Sequence, residues 1–219
     1  MKRIMILFFA FLSILTIFSC QRKTELKNTV SIIKEEPLLV TMTDNVEKHT
    51  IHIIPLGYVP PIYIEKVKYS IHTFYGFDCV IDEQTNPTDD ILAASETRYE
   101  ALKILRKYRS KNHNLILTEF DIACWTEKSP EWGIFGLGYM PGSVCVVSTY
   151  RLKKGVSREK LIERLCKVSL HELGHNLGLN HCDNNQHCLM NDARGTIKTV
   201  DNEKMWLCDG CQEQIQNKK

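Results

Sequence analysis

The sequence predicts an α/β domain in which a mixed, twisted sheet of about five strands packs with helices. Three observations lead there. Apolar, β-branched runs alternate with helix-period segments through the first half of the folded region. Two further β-rich stretches flank a Pro-Gly turn. A long periodic segment then carries His, Glu and His about one helical turn apart. Composition agrees, since 43% hydrophobic and 25% charged residues over 219 positions is ordinary globular usage. With 28 Lys+Arg against 26 Asp+Glu, the net charge of +2 offers no electrostatic basis for a nucleic-acid partner.

The elements follow in order. Lys2 and Arg3 precede an apolar run, Ile4 to Phe18, which is shorter than the roughly 20 residues of a membrane span and fits the core of an export signal. Its end, Ile17-Phe18-Ser19-Cys20, resembles a bacterial lipobox, which implies cleavage before a lipidated Cys20. Residues 1–19 are thus expected to be a lipoprotein-type signal, 20–48 a polar tether, and 49–219 the folded domain. Thr50 to Pro55 reads as a strand. Pro60 and Pro61 open a helix with Ile64, Val67, Ile71 and Phe74 as its buried stripe. Phe77 to Ile81 is a second strand, and Glu96 to Ser110, a periodic stretch rich in helix formers that holds Tyr99, Leu102, Leu105 and Arg106, reads as a helix. Leu115 to Thr118 is a third strand; Ile134–Tyr139 and Ser143–Thr149 form a hairpin. Ser157 caps the long helix, and a last helix is expected between about Val200 and Gln216.

The chemistry lies in His171-Glu172-Leu173-Gly174-His175. On a helix, His171 and His175 share one face and can bind one zinc ion at about 2.0–2.1 Å. Glu172 lies about 100° round the helix, able to reach a zinc-bound water as general base without being a ligand. Gly178 can take positive φ and end the helix, letting the chain return His181 to the same metal. Three neutral imidazoles leave one open position for water, the arrangement of a peptide-bond hydrolase.

His181 is followed by Cys182, then Cys188-Leu189-Met190 and Cys208-Asp209-Gly210-Cys211. This set resembles the archaemetzincin (archaelysin) family of metzincin zinc metallopeptidases, whose pattern is H-E-x-x-H-x-x-G-x(3)-C-x(4)-C-x-M-x(17)-C-x-x-C. Ile53 to Gly57 and Val147 to Leu152 also look like family segments. The resemblance implies a zincin-like minimal metzincin domain. It implies His171, His175 and His181 on a catalytic zinc, and Cys182, Cys188, Cys208 and Cys211 on a structural one, hence two Zn²⁺. It also implies Met190 as the Met-turn residue beneath the catalytic metal. Five residues separate Cys182 from Cys188 where the pattern has four, and His187 at the pattern's spacing stays open as an alternative ligand. Two disulfides are the other use an exported chain could make of these cysteines.

By the same resemblance, Gly133 to Tyr139 is the edge strand along which a peptide substrate lies, with Gly136 and Gly138 leaving room for its backbone. Cys79, Cys124, Cys145 and Cys166 read as buried core thiols. The expected protein is a monomeric zinc metallopeptidase, endo- or aminopeptidase, exported and lipid-anchored to a bacterial membrane, and binding no nucleic acid. The competing reading is a non-catalytic, zinc-stabilised surface lipoprotein that binds peptides or partners.

Overall fold

The computed structural model describes residues 49–216. The signal segment, the tether and Cys20 lie outside the described residues. Thr50–Leu56 forms strand β1, Pro61–Tyr75 helix α1 and Asp78–Ile81 strand β2. Tyr99–Glu100 forms β3, Ala101–Lys107 α2 and His113–Thr118 β4. A hairpin of β5 (Ile122–Thr126) and β6 (Ser129–Gly133) follows, then β7 (Gly136–Gly138) and β8 (Val144–Ser148). Helices α3 (Arg158–Asn176), α4 (Ile197–Asn202) and α5 (Asp209–Gln216) complete the chain.

Five strands form the main sheet in the order β2-β1-β4-β8-β7. All neighbours are parallel except β7, which runs antiparallel to β8 and leaves one edge free. The mixed sheet is the one predicted. Side-chain alternation gives it two apolar faces. Ile51, Ile53, Leu115, Leu117, Cys145 and Val147 join α1 and α3 in one core. Ile54, Leu56, Ile116, Val144 and Val146 pack with α2 in the other.

Helix α1 starts with Pro61 at its first position and ends where Gly76 takes a φ of 73°. Its predicted stripe, Ile64, Val67, Ile71 and Phe74, is buried as expected. Tyr75 on this helix donates a 2.8 Å hydrogen bond to the Leu170 carbonyl of α3, fixing one helix on the other. Ser157 caps α3 by accepting the Lys160 N–H.

Three elements depart from expectation. The helix predicted over Glu96 to Ser110 is only α2, burying Ala101, Ile104 and Leu105; Leu102 and Tyr99 are half-buried and Arg106 is exposed. Its first turn is lost because Tyr99–Glu100 pairs with Ile122–Ala123 and Arg98 donates to the Glu131 carbonyl, so tertiary pairing overrides local propensity. The β5–β6 hairpin was not expected: its Glu127-Lys128 turn lacks the usual Asn-Gly signal, and Pro130 sits within β6. The single C-terminal helix is two. Between α4 and α5 the chain is extended, with the Lys204 N–H on the His187 carbonyl (2.9 Å) and the Leu189 N–H on the Trp206 carbonyl (2.9 Å).

Candidate active site

Helix α3 presents His171 and His175 with ring centroids 4.7 Å apart. At its end Gly178 takes a φ of 86°, its N–H bonds the His175 carbonyl at 2.7 Å, and the Leu179 N–H bonds the Gly174 carbonyl at 2.9 Å. The chain therefore turns back, and His181 Nε2 comes to 3.2 Å from His175 Nε2. One ligand atom from each of the three histidines lies within 4.8 Å of the others. Nitrogens about 2.05 Å from a tetrahedral zinc would stand about 3.3 Å apart, so the donor set fits that ion.

The tautomers are fixed by the backbone. His171 Nδ1–H donates to the Leu189 carbonyl at 2.7 Å, and His175 Nδ1–H to the Leu179 carbonyl at 2.8 Å. A carbonyl only accepts, so each Nε2 keeps its lone pair for a metal. Burial, with His175 beside it, lowers His171 to about 3 and keeps it neutral.

Glu172 is 7% exposed and lines the same cleft as the histidines. Burial pushes its carboxyl up to about 8, while a hydrogen bond from the Gly138 N–H pulls the other way. Across from it lies β7, and the two glycines there are matched to α3. A Cβ on Gly136 would sit 2.7 Å from Glu172 Oε1, and one on Gly138 would sit 2.9 Å from the Glu172 carbonyl oxygen. The space these glycines leave is thus filled by α3, while the outer edge of β7 stays open.

Met190 is fully buried, and a Cβ on Gly174 would lie 2.5 Å from its sulfur. The methionine thus packs under α3 one residue before His175. Its carbonyl accepts the Cys182 N–H at 2.7 Å.

Cys182, Cys188, Cys208 and Cys211 form a buried cluster with all four sulfurs within 4.8 Å of one another. Cys182 and Cys208 sulfurs are 3.5 Å apart and those of Cys188 and Cys211 3.8 Å apart. Four sulfurs about 2.3 Å from a tetrahedral zinc would stand about 3.8 Å apart. These are thiols, not disulfides. His187 lies outside the cluster, its Nδ1–H on the Asn202 carbonyl at 3.0 Å. Of the four remaining described cysteines, Cys145 and Cys166 are buried with raised pKa values, as expected of core thiols. Cys79 and Cys124 are only half-buried, because each stands near a sheet margin.

The family model for peptidase family M54 matches residues 33–217. The chain belongs to that family, the archaemetzincins. It is 30% identical to the archaemetzincin of Halobacterium salinarum over 176 residues, covering 75% of this chain and 98% of that protein. Against the archaemetzincin of Archaeoglobus fulgidus it is 34% identical over 122 residues, 56% of this chain and 71% of the relative. The crystal structure of that protein complexed with malonate superposes with a TM-score of 0.66 at 27% identity, covering 75% of this chain and 99% of the other. The archaemetzincin of Methanopyrus kandleri shares the fold, with a TM-score of 0.66 at 23% identity and coverage of 77% and 94%. This archaemetzincin is therefore a zinc metallopeptidase, which decides between the two readings of the sequence in favour of the enzyme.

Several working parts of this archaemetzincin carry no sequence signal. The Leu179 and Leu189 carbonyls act through backbone atoms. Asn176, 5% exposed, donates from Nδ2 to the Tyr139 (2.8 Å) and Val144 (3.1 Å) carbonyls, pinning the β7–β8 connection to α3. Glu203, a charged residue in a polar stretch, is 4% exposed and lines the active-site cleft.

Proposed function

We propose that Glu172 is the general base of peptide-bond hydrolysis at this site. The observation that carries this reading is a buried carboxyl, lining the same cleft as the three histidines and held by the Gly138 N–H. His171, His175 and His181 would hold the catalytic zinc. When bound, the ion supplies a dication that polarises the scissile carbonyl, acidifies the attacking water and draws Glu172 back toward ionisation. Glu172 takes a proton from that water at its carboxylate and returns it to the leaving amine nitrogen. The substrate backbone adds to the free edge of β7. Glu172→Gln should leave zinc content and thermal midpoint unchanged while lowering kcat at least about 10³-fold. Cleavage at wild-type rate would remove Glu172 from the mechanism.

The thiol cluster is proposed to hold a second, structural zinc, supported by its sulfur spacing and closed, buried environment. Elemental analysis should return two zinc ions per chain; one zinc with two disulfides would refute the site. Export and anchoring by lipid on Cys20 to a bacterial membrane rest on the sequence of residues 1–20. Cys20→Ser should move the protein from the membrane to the soluble fraction; unchanged partition would refute the anchor.

A further inference from the structure

The cleft lined by His171, Glu172 and His175 has a volume of about 650 Å³ and is also lined by Val168, Val200 and Glu203. Val168 stands on α3 one turn before His171, so this part of the cleft adjoins the reacting centre. The cleft lining mixes apolar side chains, Phe135 and Trp132 among them, with polar ones such as Asn191 and Asp192. Glu203 is the polar residue of that lining with a buried, unpartnered oxygen. It is 4% exposed, and its Oε1 is fully buried with no hydrogen-bond partner.

A carboxyl in such a place lacks a counter-ion, and the cations near it are committed elsewhere. Lys167 Nζ is 2.7 Å from Glu163 Oε1 and donates to the Val200 carbonyl at 3.1 Å. Arg194 also lines the cleft, but its side chain is 77% exposed and stands 3.7 Å from Asp192. Lys167 draws the Glu203 pKa down, yet burial dominates and pushes it up to about 8. An unpaired buried carboxyl costs stability, so its place in the cleft wall calls for an explanation.

Nor is the residue loosely held. The Glu203 N–H donates to the Thr199 carbonyl at 2.9 Å, closing α4, and the next residue is tied to the His187 carbonyl. The carboxyl is pre-positioned by backbone bonds on both sides.

We infer that this part of the cleft is a subsite for a basic side chain of the substrate, arginine or lysine, whose charged tip pairs with Glu203. The apolar part of the lining matches the alkyl stem of such a side chain, and the carboxylate matches its head. The inference rests on the metallopeptidase site proposed above and gives it a substrate class: peptides with Arg or Lys next to the scissile bond.

The test uses the full zinc-loaded protein. Calorimetric titration with n-butylguanidinium chloride and, separately, n-pentanol compares a cationic and a neutral probe of similar stem. Butylguanidinium should bind more tightly than pentanol, and Glu203→Gln should weaken it about 10- to 100-fold with pentanol unaffected. Zinc content and thermal midpoint report whether the variant folds, and the comparison of probes on the wild type stands without it. In a peptide library, the wild type should favour Arg and Lys at one position flanking the cut, and Glu203→Gln should lose that preference. Equal binding of the two probes, or a library preference for neutral or acidic residues there, would overturn the subsite. If butylguanidinium binds through Glu203 but no peptide is cut, the subsite stands and the peptidase mechanism falls.

Discussion

Gly136 and Glu172 compete for the same volume: a Cβ on Gly136 would stand 2.7 Å from Oε1 and 2.8 Å from Cγ of the glutamate. The edge strand and the proposed base are therefore fitted to each other to within one methyl group. Gly136→Ala should push the carboxyl out of place, lowering kcat/KM by about 10- to 100-fold, since a shift near 1 Å at a reacting group is worth that much. Zinc content should be unchanged, and the stability cost should be about 1–3 kcal/mol. Steady-state kinetics alongside metal analysis check both.

Asn176 serves geometry in a different way. Its amide supplies two donors to backbone carbonyls, while its own Oδ1 is buried without a partner. Asn176→Ala should destabilise by about 1–3 kcal/mol through loss of both bonds, although the Val144 carbonyl keeps the Tyr139 N–H at 3.3 Å. Asn176→Asp should be worse, because an ionised carboxylate only accepts and would face two acceptors. Thermal unfolding of the pair gives the order, and a milder Asp variant would refute it.

Under α3, Gly174 leaves 2.5 Å between a notional Cβ and the Met190 sulfur, and 3.2 Å to the Tyr75 hydroxyl. Gly174→Ala should cost about 1–3 kcal/mol by overpacking. Met190→Val removes the sulfur and should cost stability alone, yet reduce the damage when combined with Gly174→Ala. A double-mutant cycle should show coupling of about 1 kcal/mol; strict additivity would mean that the two do not share the space.

Acid sensitivity should involve Asp201. Arg164, nearly buried, donates to its two oxygens at 2.7 and 2.6 Å and holds the carboxyl below its usual range. The folded pKa is depressed, so the stabilisation is fully present above the unfolded value near 3.9 and is lost as pH falls through the lower, folded one. With Asp201 partly in solvent, the contribution is about 1–2 kcal/mol. Asp201→Asn should flatten the loss of stability below about pH 4, as read from urea midpoints across a pH series.

Legibility in the sequence follows the physics of each part. Helix periodicity is local, so His171, Glu172 and His175 could be placed on one helix from spacing alone, and Gly178 signalled the return of His181. The thiol positions were visible as a pattern, but spacing could not choose between Cys188 and His187; three-dimensional closure places Cys188 in the cluster and turns His187 to a backbone carbonyl. Long-range pairing was the main loss. Tyr99 joined a strand because Ile122 was there to receive it, and nothing near Tyr99 announces that. Buried charge was the other. Arg164, Lys167 and Glu203 look like surface residues until their partners, or the lack of them, are seen.

The stretch Cys188-Leu189-Met190 touches both clusters. Cys188 lies among the thiols, the Leu189 carbonyl holds His171, and Met190 underlies α3. Three consecutive residues cannot reorder independently, so whatever fixes one end of the stretch lowers the entropy of fixing the other. With zinc at both sites as proposed, occupancy at the thiols and at the imidazoles would be reciprocally linked, each metal raising the affinity for the other by the same factor. The protein would load its metals as a pair, and lose them as one.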